Sequence, residues 1–298
     1  MAEPQTTQVG VFVERQLDQL ARAIEKELSA DVMAIYGPIY SGAENRVREV
    51  MESRRGKRKP KLAVVLDTTG GIIEVVERMV QVIRHHYTEV VMIVPNRAMS
   101  AGTVLALSGD AIMMDYFSCL GPIDPQIEIE RGNLVPARSY LIQYEKLKAK
   151  QGSEKGLAEA EIVLLQKLDL AELHSFEEAI RLSDTLLREW LAKYKFKEWK
   201  VTETRKLPVD DKKREDRAHE IAEKLADCEE WHSHGRPISK EVLQKKLNLR
   251  IDDFGAEPAM SKAIGQYHDF LTDYMVKIGA FHFVHTKGTC LFLTWSQR

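Results

Sequence analysis

The stretch Val90-Val-Met-Ile-Val-Pro-Asn-Arg-Ala-Met-Ser-Ala-Gly-Thr-Val-Leu-Ala-Leu-Ser108 holds three pieces in order. An apolar run stops at Pro95, a small-residue turn spans positions 98–102, and an apolar segment follows that can form a buried helix. A serine on a tight strand-to-helix turn is presented rather than packed. The amide of the next residue and the positive end of the helix dipole then lie close to its oxygen. That arrangement suits nucleophilic attack on a carbonyl. The same residues also suit a plain capped helix, because Ser is a favoured N-cap and Gly an ordinary turn residue.

Upstream, Leu62-Ala-Val-Val-Leu66 is a continuous apolar run and reads as a buried strand. Asp67-Thr-Thr-Gly-Gly71 follows, and positions 72–85 carry Ile72, Val75, Val76, Met79, Val80 and Ile83 at helical spacing. Strand, glycine turn, helix and strand make a βαβ unit. Val32-Met-Ala-Ile-Tyr36 supplies an earlier strand and Ala111-Ile-Met-Met114 a later one. The alternation predicts an α/β fold with a mainly parallel sheet, flanking helices and helical additions. Active residues in such sheets gather at the carboxyl ends of strands, where both Gly70-Gly71 and Ser100 fall. Gly70-Gly71 can be a turn that needs positive φ, or an oxyanion site whose bare amides approach a developing alkoxide. The turn lacks the endings of the phosphate loops, so a nucleotide reading fails.

Composition narrows the class. The chain is 44% hydrophobic and 30% charged with net charge -2, which offers no general argument for nucleic acid or anionic membrane. The basic loop at 54–61 lacks interleaved aromatics and reads as a solvated approach to the next strand. Cys119, Cys228 and Cys290 lie far apart, without metal spacing, and point to a reducing compartment. The N-terminus lacks a signal-peptide pattern, and no apolar run reaches the ~18 residues of a bilayer span. The expectation is a cytoplasmic protein without transmembrane segment, metal or cofactor.

Beyond the core, positions 11–28 and 139–150 read as helices, and 155–196 as helix with a break near 170–175. Leu120-Gly-Pro-Ile-Asp-Pro-Gln126 is a loop stiffened by two prolines. A helix at 218–230 leads into Trp231-His-Ser-His-Gly-Arg-Pro-Ile238, and a helix around 260–278 precedes a hairpin at 281–284 and 290–295.

Leu66-Asp-Thr-Thr-Gly-Gly-Ile-Ile-Glu74, Ser100-Ala-Gly-Thr103 and the Leu120 to Gln126 loop together resemble the serine dehydrogenase proteinase family. That family lies within the Clp-protease and crotonase-like superfamily, with signal peptide peptidase A. Trp231 through Pro237-Ile238 resembles its later motif, and the similarity covers roughly residues 30–250. The resemblance implies a Clp-like domain over 31–255; outside it the apolar spacing suggests an N-terminal helix over 1–30 and a C-terminal helix with a β-hairpin extension over 256–298. It implies Ser100 as nucleophile, with the amides of Ala101 and of Gly70 or Gly71 as oxyanion hole. It also implies a peptide or protein substrate and self-association.

The base stays open. Clp proteases place a histidine in the loop matching Leu120 to Gln126, and this loop has none. Membrane-associated relatives use a lysine near the next helix, where this chain has Arg138, which stays protonated. His234 matches the family histidine best and has suitable acidity, with His232 its weaker neighbour. Lys146 serves only if burial lowers its pKa, and Asp124 can orient a histidine or hold its own turn. Two rivals remain: a non-catalytic oligomeric scaffold, and a crotonase-type enzyme acting on an acyl thioester.

Overall fold

The computed structural model describes residues 8–54, 58–123, 126–129, 133–152, 156–166, 168–202 and 204–295. Helix α1 (Gln8–Leu28) leads into β1 (Asp31–Tyr36), and α2 (Ala43–Ser53) returns the chain to β2 (Lys61–Asp67). Helix α3 (Ile73–His86) carries it to β3 (Glu89–Val94) and the two-residue β4 (Arg97–Ala98). Then come α4 (Ala101–Leu107), β5 (Ala111–Met114) and β6 (Cys119–Leu120). An excursion follows: the hairpin β7 (Gln126–Ile129) and β8 (Asn133–Pro136), then α5 (Ala137–Gln151), α6 (Glu159–Gln166) and α7 (Leu170–Trp190). The return path holds α8 (Asp211–Ala226), α9 (Cys228–Trp231), β9 (Ile238–Ser239), α10 (Lys240–Lys245) and β10 (Asp252–Asp253). Helix α11 (Pro258–Ile278) precedes the hairpin β11 (Ala280–Thr286) and β12 (Thr289–Thr294).

The main sheet has the order β10-β5-β3-β2-β1-β11-β12. Its first five strands run parallel, and β11 and β12 add antiparallel beside β1. This is the α/β fold with a mostly parallel sheet that the apolar runs predict. The runs are continuous because both faces are covered. Met33, Ile35, Val64, Leu66, Met92 and Val94 pack in one core that includes residues of α2, α3, α4, α7 and α8. Val32, Ala34, Val65 and Ile93 face a second core with α1 and α11. Each such Val, Leu, Ile or Met side chain, once buried, contributes about 1.5–3 kcal/mol. The C-terminal hairpin is continuous with this sheet, since Phe283 and Val284 are fully buried within the two cores.

Two expectations need correction. The basic loop is not simply solvated: Arg54 is buried and pairs with Asp31 at 2.5 Å, and the Lys59 ammonium donates to the Ala30 carbonyl at 3.0 Å. A short basic run gives no hint of the buried carboxylate of Asp31 that meets the Arg54 guanidinium and the Lys59 amide. The helical break falls just ahead of 170–175, where Asp169 caps α7 by accepting from the Ala171 amide at 2.7 Å. Among the described residues no helix is long and apolar enough to cross a membrane.

Candidate active site

Ser100 lies where β4 hands the chain to α4. Beyond the end of β2, Thr68 pairs with Ala98: the Thr68 amide donates to the Arg97 carbonyl at 2.9 Å and the Met99 amide to the Thr68 carbonyl at 3.0 Å. Strand β4 pairs with β6, and β6 with β9. The serine is thus carried on a second, smaller sheet at the carboxyl end of the first.

A capping serine has an extended backbone, and its side chain accepts from an amide of the first turn. Ser100 does neither. Its φ of 52° and ψ of -119° lie in a region that costs an ordinary residue about 1–3 kcal/mol, and it makes no side-chain cap bond. The Gly102 amide donates to the Met99 carbonyl and the Thr103 amide to the Ser100 carbonyl, each at 2.8 Å. Among the described residues nothing accepts from the Ala101 amide. Every residue of α4 is buried, and Ser100 itself is 3% exposed. The turn is a strained elbow at the head of a core helix.

The glycine turn stacks on this elbow. Gly70 has φ 89°, and a Cβ there would lie 2.4 Å from the Met99 carbonyl oxygen and 3.0 Å from Ser100 Cβ. Gly71 has φ 150°, and its Cβ would lie 1.9 Å from the Ile39 carbonyl oxygen. Neither position admits a side chain. The two amides differ: that of Gly70 donates to Thr68 Oγ1 at 3.0 Å, whereas among the described residues nothing accepts from that of Gly71. Between the two glycines that the sequence leaves open, Gly70 acts as the close spacer and Gly71 keeps a usable donor.

Two threonines lock the surroundings, and spacing alone does not single them out. Thr68 is 1% exposed and supplies the acceptor for Gly70. The Thr103 hydroxyl lies 2.8 Å from the carbonyls of Ala98 and Gly121 and accepts from the Gly121 amide at 2.9 Å. It ties α4 to the start of the proline loop. On the opposite face, Tyr36 Oη and His268 Nδ1 lie 2.7 Å apart. Burial lowers the His268 pKa against the opposing pull of Asp67, Asp269 and Asp115.

The candidate bases are placed less directly. His234 is half-buried, four residues ahead of Ile238, which pairs with Leu120 at the start of the proline loop. His232 is exposed with φ 60°. Lys146 is exposed on α5, along a groove shared with Ile180 of α7, so the burial it would need as a base is missing. Arg138 is half-buried on the same helix, and Asp124 lies outside the described residues. The structure gathers Ser100, Gly70, Gly71 and Ala101, and gives His234 and Lys146 no described contact with them. Among the described residues no group of three His, Cys, Asp or Glu side chains could hold a metal ion.

Comparisons with known proteins find similarities over part of the chain. Residues 32–174 match the family described as ClpP-like SDH-type serine proteinase. Two uncharacterized proteins of Methanocaldococcus jannaschii are similar in sequence. MJ0137 is 32% identical over 115 residues, covering 38% of each chain, and MJ1495 is 33% identical over 91 residues, covering 30% of each. The chain therefore spans well under half the length of these relatives. Among solved structures, a mutant of the 1510-N membrane-bound stomatin-specific protease has 20% identity and TM-score 0.31, over 51% of this chain and 83% of that one. ClpP1 from Listeria monocytogenes has 12% identity and TM-score 0.30, over 51% of this chain and 91% of that one. The segment 32–174, which carries the glycine turn, the Ser100 elbow and the proline loop, is similar to the ClpP-like SDH-type serine proteinase family.

Proposed function

We propose that this chain is a serine peptidase that cleaves peptide bonds through an acyl-enzyme on Ser100. The observation that carries the reading is the Ser100 backbone: an energetically costly conformation at a strand-to-helix turn, with no capping role to explain it. Ser100 Oγ attacks the scissile carbonyl, and the amides of Ala101 and Gly71 receive the oxyanion. Two such donors, fixed before the reaction, stabilise the charge that develops in the transition state. The leaving amine departs protonated, and water then releases the acyl group.

His234 is the base favoured here, because the β6–β9 pairing carries its segment toward the proline loop. Asp124 is proposed as its orienting group. The domain limits of 31–255, self-association, and a cytoplasmic setting belong to the same proposal. The free thiols of Cys119 and Cys290 suit that setting. One observation favours the scaffold reading instead: Lys146, the alternative base, is solvent-exposed.

The test is labelling of the purified protein by a fluorophosphonate probe, beside Ser100→Ala, His234→Ala and Lys146→Ala. Wild-type labelling that vanishes in Ser100→Ala and falls steeply in His234→Ala is the expected result. Absence of wild-type labelling from pH 6 to pH 9 would move the scaffold reading ahead. Labelling untouched by His234→Ala but lost in Lys146→Ala would reassign the base.

A further inference from the structure

The glycine turn is held from its outer side by a short strap, residues 37–40, and the strap is held by the C-terminal hairpin. The Ile39 amide donates to the Gly70 carbonyl and the Ile72 amide donates to the Ile39 carbonyl, both at 2.9 Å. These two bonds bracket Gly71, so the direction of its amide follows the position of Ile39. The Ile39 side chain is buried in the core, and its neighbours are held by hydrogen bonds: the Gly37 amide donates to the Asp67 carbonyl at 2.9 Å, and His282 Nδ1 donates to the Pro38 carbonyl at 3.2 Å.

His282 is completely buried, and its ring meets Tyr40 edge-on at 5.0 Å between centroids. Among the described residues its Nε2 has no hydrogen-bond partner. The remaining ring nitrogen must therefore carry the proton that reaches Pro38. Burial pushes the His282 pKa down to about 4, so the ring is neutral near pH 7 and this tautomer persists. A buried ring nitrogen left without a partner is costly. A purely packing position would be filled more cheaply by an apolar side chain. Next to it, a Cβ on Gly37 would lie 2.0 Å from the Phe281 carbonyl oxygen, so strap and hairpin are in direct backbone contact.

We infer that His282 is a positioning residue for the oxyanion hole: through Pro38 and Ile39 it sets the Gly71 amide. The inference rests on the acyl-enzyme reading for its consequence in catalysis, but not for its structural content. It places a functional residue outside the segment 32–174 that matches the proteinase family.

The test compares His282→Leu, which removes the donor, with His282→Asn, whose side-chain amide can supply one near the Nδ1 position. Two measurements are made on the full chain: the rate of Ser100 labelling by a fluorophosphonate, and amide hydrogen exchange over residues 70–73. Losing an oxyanion donor outright costs about 10²–10³ in rate, so a displaced one should slow labelling by about tenfold or more. The expected result is that slowing, with faster exchange at Ile72, in folded His282→Leu, and recovery of both in His282→Asn. A peptide substrate should show the loss in kcat with KM kept. Unchanged labelling and exchange in folded His282→Leu would overturn the inference. Should His282→Leu not fold, His282→Gln decides, because its amide reaches the Nε2 position and leaves Pro38 unbonded. Slowed labelling and faster Ile72 exchange in His282→Gln support the inference, and wild-type values overturn it. Failure of the wild type to label defeats the peptidase reading, while exchange at Ile72 still judges the strap.

Discussion

If the Ser100 backbone is strained, glycine at that position should relieve the strain. The informative comparison is Ser100→Gly against Ser100→Ala. Both remove the hydroxyl and the same hydrogen-bonding capacity, so those losses cancel. They differ in three terms, of which the buried methyl favours alanine by about 0.8 kcal/mol. Glycine gives the unfolded chain more freedom, which costs about 0.4–1 kcal/mol relative to alanine at an ordinary position. At φ 52° and ψ -119°, alanine keeps a penalty of about 1–3 kcal/mol that glycine largely escapes. The balance makes Ser100→Gly the more stable variant by up to about 2 kcal/mol. In thermal unfolding this corresponds to up to about 4 °C. Urea denaturation of the two proteins, analysed by midpoint and slope, is the assay. A glycine variant less stable than the alanine variant would show that the elbow is relaxed, and the main support for an activated serine would go with it. Neither variant should label, because both lack the hydroxyl.

Three further outcomes follow from contacts around the site and the core. Thr68→Val keeps the shape but removes the acceptor for the Gly70 amide; it should cost about 1–3 kcal/mol in urea denaturation and slow fluorophosphonate labelling, whereas wild-type labelling would mean the glycine turn holds itself. Asp31→Asn leaves the buried Arg54 guanidinium without its charge partner, which should destabilise by about 3–5 kcal/mol; a loss below 1 kcal/mol would mean that water reaches the pair. His282 has its pKa lowered by burial from 6.5 to about 4, so the native state favours the neutral ring. Its contribution is present above the unfolded pKa and is lost as pH falls from about 6.5 to about 4, a change of about 3 kcal/mol. The urea midpoint of His282→Asn should therefore fall less than that of wild type over this interval, and parallel curves would contradict the assignment.

The parts legible in the sequence are those whose cause is local. Val32-Met-Ala-Ile-Tyr36, Leu62-Ala-Val-Val-Leu66 and Val90-Val-Met-Ile-Val94 read as strands because both faces of the sheet are covered, leaving no polar alternation to confuse the pattern. Ser100 and Gly70-Gly71 could be placed together because strand ends in a parallel sheet share one edge. By contrast β4, β6 and β9 have two residues each, too few for any period to show, although they build the platform that carries Ser100. Asp252-Asp253 lies in no apolar run, yet its backbone extends the sheet beside β5. The backbone strain at Ser100 is likewise invisible in composition, since a capping serine and an elbow serine are the same letter.

The strap shows the same limit at longer range. Pro38 and His282 are separated by most of the chain, and neither belongs to a motif. What joins them is register: Tyr36 pairs with Phe283, so the residues just past the end of β1 meet those just before it on the antiparallel neighbour. Once β11 lies against β1, a donor at 282 must fall near the carbonyl at 38, and the glycine turn inherits a support from outside its own βαβ unit. If the proposed acyl-enzyme holds, a motif that names Ser100 and Gly71 specifies which atoms react, while the pairing of a distant strand decides how firmly they are held. Relatives that share residues 32–174 but replace the hairpin must hold Ile39 by another contact, or work with a looser oxyanion site.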